Sequence, residues 1–149
     1  MAKLLYVYIF AVFCIAGSLQ SFPFTNCDNE PAPTDLRIDG CSVPPCSFKR
    51  GTNLTAQWDF VMTSNTKTLT PRVKATVLGV TINYPFEQTD ACKSLINAEC
   101  PLEEGDIVTF DLNMPISKRY PSIKLIVEFA LIDEHKNAQV CFKIQAQVA

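Results

Sequence analysis

The amino-acid sequence predicts an antiparallel β-sandwich, and three observations favour this fold class. Apolar and polar residues alternate in seven short runs from Leu36 onward, which is the period-2 pattern of half-buried strands. Turn-forming residues separate the runs, and no long stretch keeps the 3.6-residue period of an amphipathic helix. Six cysteines, an even number, follow an apolar leader. The sequence therefore predicts one all-β domain over residues 22–149, preceded by a separate segment, residues 1–21.

The segment before the domain has the features of a secretory signal peptide. A lysine precedes an apolar run over residues 4–16, and small residues follow at positions 16–18. We expect cleavage between Ser18 and Phe22. The run is short for a bilayer span and no second run of transmembrane length follows, so a retained membrane anchor is only the alternative. The sequence predicts a protein secreted to the extracellular space, or to the lumen of endosomes and lysosomes.

The seven runs predict seven strands joined by turns. Each strand presents its apolar positions to a core and its polar positions to water. Residues 44–45, 64–65, 104–106 and 133–137 have the composition of turns. The apolar positions in chain order are Leu36 and Ile38; Leu54, Ala56, Trp58, Phe60 and Met62; Val73, Ala75 and Val77; Val80, Ile82 and Tyr84; Val108, Phe110 and Leu112; Ile123, Leu125, Val127, Phe129 and Leu131; and Val140, Phe142, Ile144, Ala146 and Val148.

The cysteines predict three disulfides. Removal of the leader removes Cys14 and leaves six cysteines, which permit fifteen connectivities. Short spacing favours a pair within residues 41–46 and another within 92–100, and the remaining two cysteines then join the ends of the domain. The expected pairs are Cys27–Cys141, Cys41–Cys46 and Cys92–Cys100. On the chain-entropy account the two short loops contribute roughly 2–3 kcal/mol each and the end-to-end link roughly 5 kcal/mol.

The charge of the chain excludes one class of partner. The sequence has 13 Lys and Arg against 15 Asp and Glu, a formal net charge of −2. Because the leader holds one lysine and no acidic residue, the mature chain carries a charge of −3. A chain without a basic stripe binds polyanions weakly at physiological salt. We expect no nucleic-acid partner.

The sequence contains no convincing catalytic or metal-binding constellation. His135 is the single histidine and lies in a charged turn, so Ser-His-Asp and Cys-His sites have no base to use. A zinc site is an alternative use of the cysteines, but there is no CxxC motif. Glu103, Glu104 and Asp106 offer paired carboxylates for a glycosidase-like site, although adjacent acids at a turn are usually solvated. We expect a protein that is not an enzyme and that has no catalytic residue, metal or cofactor.

One sequon for N-glycosylation occurs, at residues 53–55 (Asn-Leu-Thr). Its acceptor, Asn53, falls at the start of a predicted strand, where an enzyme has access. We expect a glycan on Asn53, with an unoccupied site as the alternative.

An ordinary immunoglobulin domain fits the cysteine pattern poorly. That fold joins its two sheets by one central disulfide packed on a tryptophan, whereas the bridges expected here are two local links and one between the ends. Sheets without a central disulfide are free to separate and enclose a cavity.

Several segments of the chain, in their order and spacing, resemble a known family. The segments are Cys27, residues 41–46 (Cys-Ser-Val-Pro-Pro-Cys), 49–51 (Lys-Arg-Gly), 63–65 (Thr-Ser-Asn), 78–80 (Leu-Gly-Val), Pro85, 90–94 (Asp-Ala-Cys-Lys-Ser) and 120–129 (Tyr-Pro-Ser-Ile-Lys-Leu-Ile-Val-Glu-Phe). Together they are similar to the second Niemann-Pick type C (epididymal secretory) protein family of the ML lipid-recognition superfamily. The similarity covers nearly all of residues 22–149.

The resemblance implies a fold and a function. It implies an immunoglobulin-like sandwich of two sheets, the three disulfides given above, and a deep apolar pocket between the sheets. It also implies a carrier that binds one sterol or fatty-acid-like lipid and hands it to a membrane acceptor or a receptor. Independently of the resemblance, we expect a monomer as the default state. The residues that match the family's pocket mouth, or lie beside it, are Tyr84, Phe86, Ile116, Tyr120 and Pro121.

Departures from the vertebrate members leave the ligand open. Residues 83–87 read Asn-Tyr-Pro-Phe-Glu where vertebrate members read Pro-Phe-Pro-Ile-Pro, and Phe129 and Phe142 replace tryptophans. These changes resemble arthropod members, some of which take fatty acids or semiochemicals. Two other functions stay open. One is an innate-immune accessory that binds bacterial glycolipid through a basic rim at Lys118, Arg119 and Lys124; the other is an adhesion module without a ligand.

Overall fold

A computed structural model describes residues 22–149, and the expected signal peptide lies outside the described residues. Within this range the chain forms nine β-strands and one turn of 3₁₀-helix (Ala91–Ser94). The strands are β1 (Thr25–Asn26), β2 (Asp35–Ile38), β3 (Cys46–Phe48), β4 (Asn53–Val61), β5 (Thr70–Val77), β6 (Val80–Tyr84), β7 (Ile107–Pro115), β8 (Lys124–Ile132) and β9 (Ala138–Val148). The described residues contain no helix with the length and hydrophobicity that crossing a bilayer requires.

The strands form two sheets of unequal width. The larger sheet has the order β1-β9-β8-β5-β6, and the smaller has the order β2-β4-β7. Neighbouring strands are antiparallel except β3, which pairs in parallel with the end of β9. The eleven residues of β9 are long enough for both short strands, because β1 lies opposite residues 142–143 and β3 opposite 146–148. The predicted all-β antiparallel sandwich is confirmed.

An aromatic cluster fills one end of the sandwich. Trp58 lies at its centre, with ring centroids 4.8 Å from Phe110 and 4.9 Å from Phe142. Phe129 completes the cluster, 5.7 Å from Trp58. All four side chains are almost fully buried, so the inner faces of the two sheets meet here in a solid core.

The other end of the sandwich is not filled. The smaller sheet has only three strands, and side chains of β5, β6 and the first half of β8 line an open apolar space. The end of β7 and the loop that follows it reach over this region through Met114 and Ile116. An apolar cavity results between the two layers.

Three disulfides brace this sandwich, and the prediction of three bridges is confirmed. The structure joins Cys27 to Cys141, Cys41 to Cys46 and Cys92 to Cys100, with Cα–Cα distances of 5.7, 5.5 and 5.8 Å. The first bridge joins the start of the domain to the buried middle of β9. The other two close short loops, so the cavity is not crossed by any of the three.

The β8–β9 turn differs in one residue from the exposed turn that the sequence predicts. Residues 134–137 are exposed, and the His135 side chain keeps 72% of its surface accessible. Asp133, in contrast, is buried. Its carboxylate accepts hydrogen bonds from the backbone N–H groups of His135 and Asn137 and from the side-chain amide of Gln139. A buried carboxylate needs such donors, and these three hydrogen bonds to Asp133 order the turn.

Candidate functional site

The cavity between the sheets, here called the inner cavity, has a volume of about 270 Å³. Carbon atoms make up nearly all of its accessible wall. None of its residues is charged, and Tyr84 and Tyr120 alone carry a hydroxyl group. The inner cavity is lined by Phe48, Val73, Ala75, Val77, Ile82, Tyr84, Met114, Ile116, Tyr120, Pro121, Ile123, Leu125, Val127 and Val148.

Strand periodicity explains most of this wall. Side chains two residues apart on a strand point to the same face, so Val73, Ala75 and Val77 of β5 all face the inner cavity. On β8 the residues Leu125 and Val127 do the same, and Ala75 lies opposite Val127 in the register. The small side chain of Ala75 leaves space at the middle of this wall.

A second concave space, the outer cleft, adjoins the inner cavity. It has a volume of about 610 Å³ and a mixed polar and apolar surface. It is lined by Gly51, Thr52, Asn53, Tyr84, Pro85, Phe86, Glu87, Met114, Pro115, Ile116, Ser117, Lys118 and Tyr120. Four residues line both spaces: Tyr84, Met114, Ile116 and Tyr120. These four are called the neck, because they separate the inner cavity from the outer cleft.

Two tyrosines meet at the neck. Tyr84 is the last residue of β6, and Tyr120 lies in the loop before β8. Their hydroxyl groups are hydrogen-bonded to each other, and their rings meet edge to face with centroids 5.9 Å apart. The guanidinium of Arg50 donates to the Tyr120 carbonyl oxygen at 3.3 Å and so fixes the loop.

The environment of the pair keeps Tyr84 neutral. Burial raises the pKa of the Tyr84 phenol above its ordinary value of about 10, and the hydrogen bond with Tyr120 and the charge of Glu87 raise it further. The phenol therefore keeps its proton throughout the physiological range. With the Tyr84 phenol neutral, the hydroxyl pair offers both a donor and acceptors to a polar group at the neck.

The residues expected at the site occupy different parts of it. Tyr84, Ile116 and Tyr120 come together at the neck, and Pro121 lines the inner cavity. Phe86 is half-buried and lines the outer cleft but not the inner cavity. The expected glycan acceptor Asn53 also lines the outer cleft, and it is exposed at the first position of β4.

Other wall residues were not singled out from the sequence. Ala75, Val77 and Ile82 belong to alternating runs, but alternation does not say whether the space over a strand is filled. Phe48 and Val148 enter the wall through the parallel pairing of β3 with β9, in which they lie opposite each other. No local pattern in the sequence predicts that pairing.

The polar clusters considered for chemistry lie elsewhere. Glu103 and Asp106 are exposed in the turn before β7, where the Asp106 carboxylate accepts a hydrogen bond from the Glu103 backbone N–H. Within residues 22–149 one group brings candidate metal ligands together, namely Cys27, Glu30 and Cys141, and its two sulfurs form a disulfide with each other.

Comparisons with known proteins agree with this architecture. Residues 21–148 match the sequence profile of the family described as ML domain. The chain is 31% identical to the mite group 2 allergen Lep d 2 of Lepidoglyphus destructor over 143 residues, which cover 96% of this chain and 97% of that protein. It is 27% identical to NPC intracellular cholesterol transporter 2 of Mus musculus, over 89% of each chain. The crystal structure of a Niemann-Pick type C2 protein from Japanese carpenter ant superposes with a TM-score of 0.78 at 22% identity, covering 86% of this chain and 100% of that one.

Proposed function

The chain belongs to the ML domain family, and from this premise we propose that it is a secreted carrier that binds one lipid molecule in the inner cavity and transports it. The observation that supports the proposal is the inner cavity itself, which is lined almost entirely by carbon. A concave apolar space with a few convergent polar groups is the usual form of a small-molecule site. The chain carries no catalytic step in this proposal, because its role is to shield the lipid from water.

Burial of hydrocarbon is enough to hold such a ligand. Each methylene removed from water contributes about 0.8 kcal/mol, so ten methylenes contribute roughly 8 kcal/mol before the cost of immobilising the ligand. A net free energy of about 8 kcal/mol, which corresponds to a dissociation constant near 1 μM, therefore requires more than ten buried methylenes once that cost is subtracted. The hydroxyl groups of Tyr84 and Tyr120 supply the polar contact that one end of the lipid needs.

The name of the mouse relative supports a lipid ligand and, more narrowly, a sterol. The neck of this chain is polar, because it carries the Tyr84 hydroxyl, which lies near Glu87. We therefore do not limit the proposal to sterols and include fatty-acid-like lipids as well. Transfer in this proposal goes to a membrane acceptor or a receptor, and the carrier works as a monomer. Three disulfides suit an oxidising compartment, outside the cell or in the lumen of endosomes and lysosomes.

Native mass spectrometry tests the proposal. Protein secreted by its own source should carry an adduct with the mass of one lipid, and extraction should release that lipid. Recombinant protein stripped of lipid should then bind a fluorescent sterol, a fluorescent fatty acid or both with one-to-one stoichiometry. Bare protein that binds neither probe would support the ligand-free adhesion module instead.

A further inference from the structure

We propose that the outer face of the larger sheet docks an extended segment of a partner protein in which acidic and apolar side chains alternate. The docking surface, here called the outer-face groove, consists of two adjoining depressions of about 500 and 350 Å³. Both depressions lie on the side of the sheet that faces away from the inner cavity, so this inference goes beyond the proposed carrier function. The residues that define the groove are Lys74 and Thr76 of β5, Lys124, Ile126 and Glu128 of β8, and Lys143 of β9.

The groove and the inner cavity occupy opposite faces of the same strands. Successive side chains of a strand point to opposite faces, so Lys74 and Thr76 point outward while Ala75 between them lines the inner cavity. On β8, Ile126 points outward and its neighbour Val127 points inward. A partner on the outer face therefore leaves the neck uncovered, and binding there does not require an empty inner cavity.

The centre of the groove is apolar and exposed. Ile126 lies opposite Thr76 in the β5–β8 register, and both residues line both depressions. Although β8 has a neighbouring strand on each side, the Ile126 side chain is 41% exposed. Leu78, at the tip of the β5–β6 hairpin, adds an apolar side chain that is 98% exposed at one end of the groove. Exposed apolar surface with a polar rim is typical of an interaction site.

Lysines without an ion-pair partner lie on both sides of this centre. Lys74 and Lys143 flank Glu128 in the register, but the Glu128 carboxylate accepts a hydrogen bond from Arg72 at 3.4 Å. Lys124 lies on the same strand as Glu128, roughly 13 Å away at about 3.3 Å per residue. Among residues 22–149 none of these three lysines forms an ion pair with a carboxylate. The groove therefore presents positive charge at both ends of an apolar centre.

This arrangement determines the chemistry of the partner. In an extended chain the residues i, i+2 and i+4 point to the same side. A segment with carboxylates at i and i+4 and an apolar side chain at i+2 matches the spacing of Lys124, Ile126 and the row that holds Lys74 and Lys143. A concave groove also fits a single extended chain better than it fits a flat bilayer. Three lysines are too few to hold a nucleic acid tightly at physiological salt.

The charges of the two outer faces favour the same assignment. The formal net charge of the chain is −2, yet the lysines of the groove outnumber its one carboxylate. The outer face of the smaller sheet carries Asp35, Asp59 and Asp111, which alternate along their strands with buried apolar side chains. An acidic segment is thus repelled by one face and attracted by the other, and such complementarity selects orientation and partner.

A matched set of peptides tests the inference. The probe is the capped peptide Thr-Glu-Thr-Val-Thr-Glu-Thr-Val-Thr. One control replaces both Glu by Gln, and the other reorders the same residues as Thr-Glu-Thr-Glu-Thr-Val-Thr-Val-Thr. Titrated into isotope-labelled protein at low salt, the probe should shift the backbone amide signals of the groove residues, with a dissociation constant below about 1 mM. The Gln peptide should bind at least fivefold more weakly and the reordered peptide about two- to fivefold more weakly, because exposed ion pairs are individually weak.

Substitutions separate the groove from general charge effects. Lys74→Gln and Lys143→Gln should each weaken binding of the probe about two- to fivefold, and the triple variant that adds Lys124→Gln should weaken it at least tenfold. Ile126→Thr should weaken binding of the probe and of the Gln peptide alike, since it removes apolar contact. Lys67→Gln removes the same charge from an exposed loop outside the groove and should bind the probe like the wild type.

The outcomes distinguish this inference from the carrier proposal. Groove signals that do not shift at about 1 mM probe, or probe binding that survives the triple substitution, would overturn the docking site. Lysine-dependent binding to vesicles of phosphatidylcholine and phosphatidylserine without binding of the peptide would assign this face to a membrane and also overturn it. Each of these results leaves the carrier intact, because the triple variant should bind the fluorescent sterol or fatty acid like the wild type. Folded wild-type protein that binds neither lipid probe would overturn the carrier proposal alone.

Discussion

The hydroxyl groups of Tyr84 and Tyr120 hydrogen-bond to each other across the neck, although β6 and the β7–β8 loop bring them there from 36 positions apart in the chain. The pair is the polar closure between an apolar cavity and a polar cleft. A neutral hydrogen bond contributes only about 0.5–1.5 kcal/mol net. In the proposed carrier, breaking this hydrogen bond therefore costs little compared with what the burial of a lipid tail contributes.

A double-mutant cycle measures the strength of this closure. Tyr84→Phe and Tyr120→Phe each remove one hydroxyl and keep the ring. We expect each to lower the free energy of unfolding by about 0.5–1.5 kcal/mol, and the double variant to lose little more than either single one, because both changes remove the same bond. Urea unfolding followed by the fluorescence of Trp58, which is 1% exposed, gives the values. Additive losses would show that the two hydroxyl groups are independent.

The stability of the protein should also depend on alkaline pH through Tyr84. Burial, the Tyr120 hydrogen bond and Glu87 raise the pKa of this phenol in the folded state. An acid with a raised folded-state pKa contributes stability that is complete below its unfolded pKa, about 10, and that is lost as pH rises through the folded value. Urea unfolding between pH 8 and pH 11.5 should therefore show a steeper loss for the wild type than for Tyr84→Phe. Parallel curves would contradict the raised pKa.

Alternation predicted the strands well wherever one face of a strand is buried. In β4 the side chains of Leu54, Ala56, Trp58 and Phe60 are buried while those between them are not, and the sequence shows this period directly. The strands β1 and β3 escaped prediction because two or three residues cannot display a period. Their partner β9 is about a hundred residues away, so their pairing depends on tertiary contacts.

The sequence predicted the residues of the site less completely than it predicted the strands. Whether Ala75 and Val77 face a neighbouring side chain or empty space depends on the number of strands in the opposite sheet, which no local pattern records. The contact of Lys118 with Gly51 joins two loops 67 positions apart, and no sequence pattern in either loop predicts it. Asp133 was expected in an exposed turn but is buried, because the hydrogen bonds that hold it come from residues that fold around it.

Glycosylation at Asn53 is open to a direct test. The side chain is exposed at the start of β4 and belongs to an Asn-Leu-Thr sequon, so we expect an N-glycan on protein secreted from eukaryotic cells. Peptide N-glycosidase F should lower the mass of the wild type and leave Asn53→Gln unchanged. Thr55→Ser is the matched control, since it retains a sequon. A wild type whose mass does not change on treatment would show an unoccupied site.

The disulfides should contribute unequally to stability. Replacing Cys27 and Cys141 by serine opens a link between residues 114 positions apart, whereas Cys41 and Cys46 are five apart. On the chain-entropy account the first loss is about 5 kcal/mol and the second about 2 kcal/mol. Urea unfolding of the two double variants measures the difference. Peptide mapping without reduction is the companion measurement, and crossed pairs there would refute this fold assignment.

Filling the inner cavity should remove binding without removing the fold. Ile116 is 4% exposed and lines both the inner cavity and the outer cleft, so Ile116→Trp should obstruct the neck and lower the affinity for a fluorescent sterol and a fluorescent fatty acid at least tenfold.

Because a larger ring in a packed neck can strain the fold by about 1–3 kcal/mol, Ala75→Leu provides a second test. Its added carbons enter existing space, so its melting temperature should equal or exceed the wild-type value while binding falls. Lys67→Gln should change neither quantity, since exposed substitutions usually stay within about 0.5 kcal/mol. If both cavity variants melt like the wild type and still bind both probes, the ligand does not occupy the inner cavity.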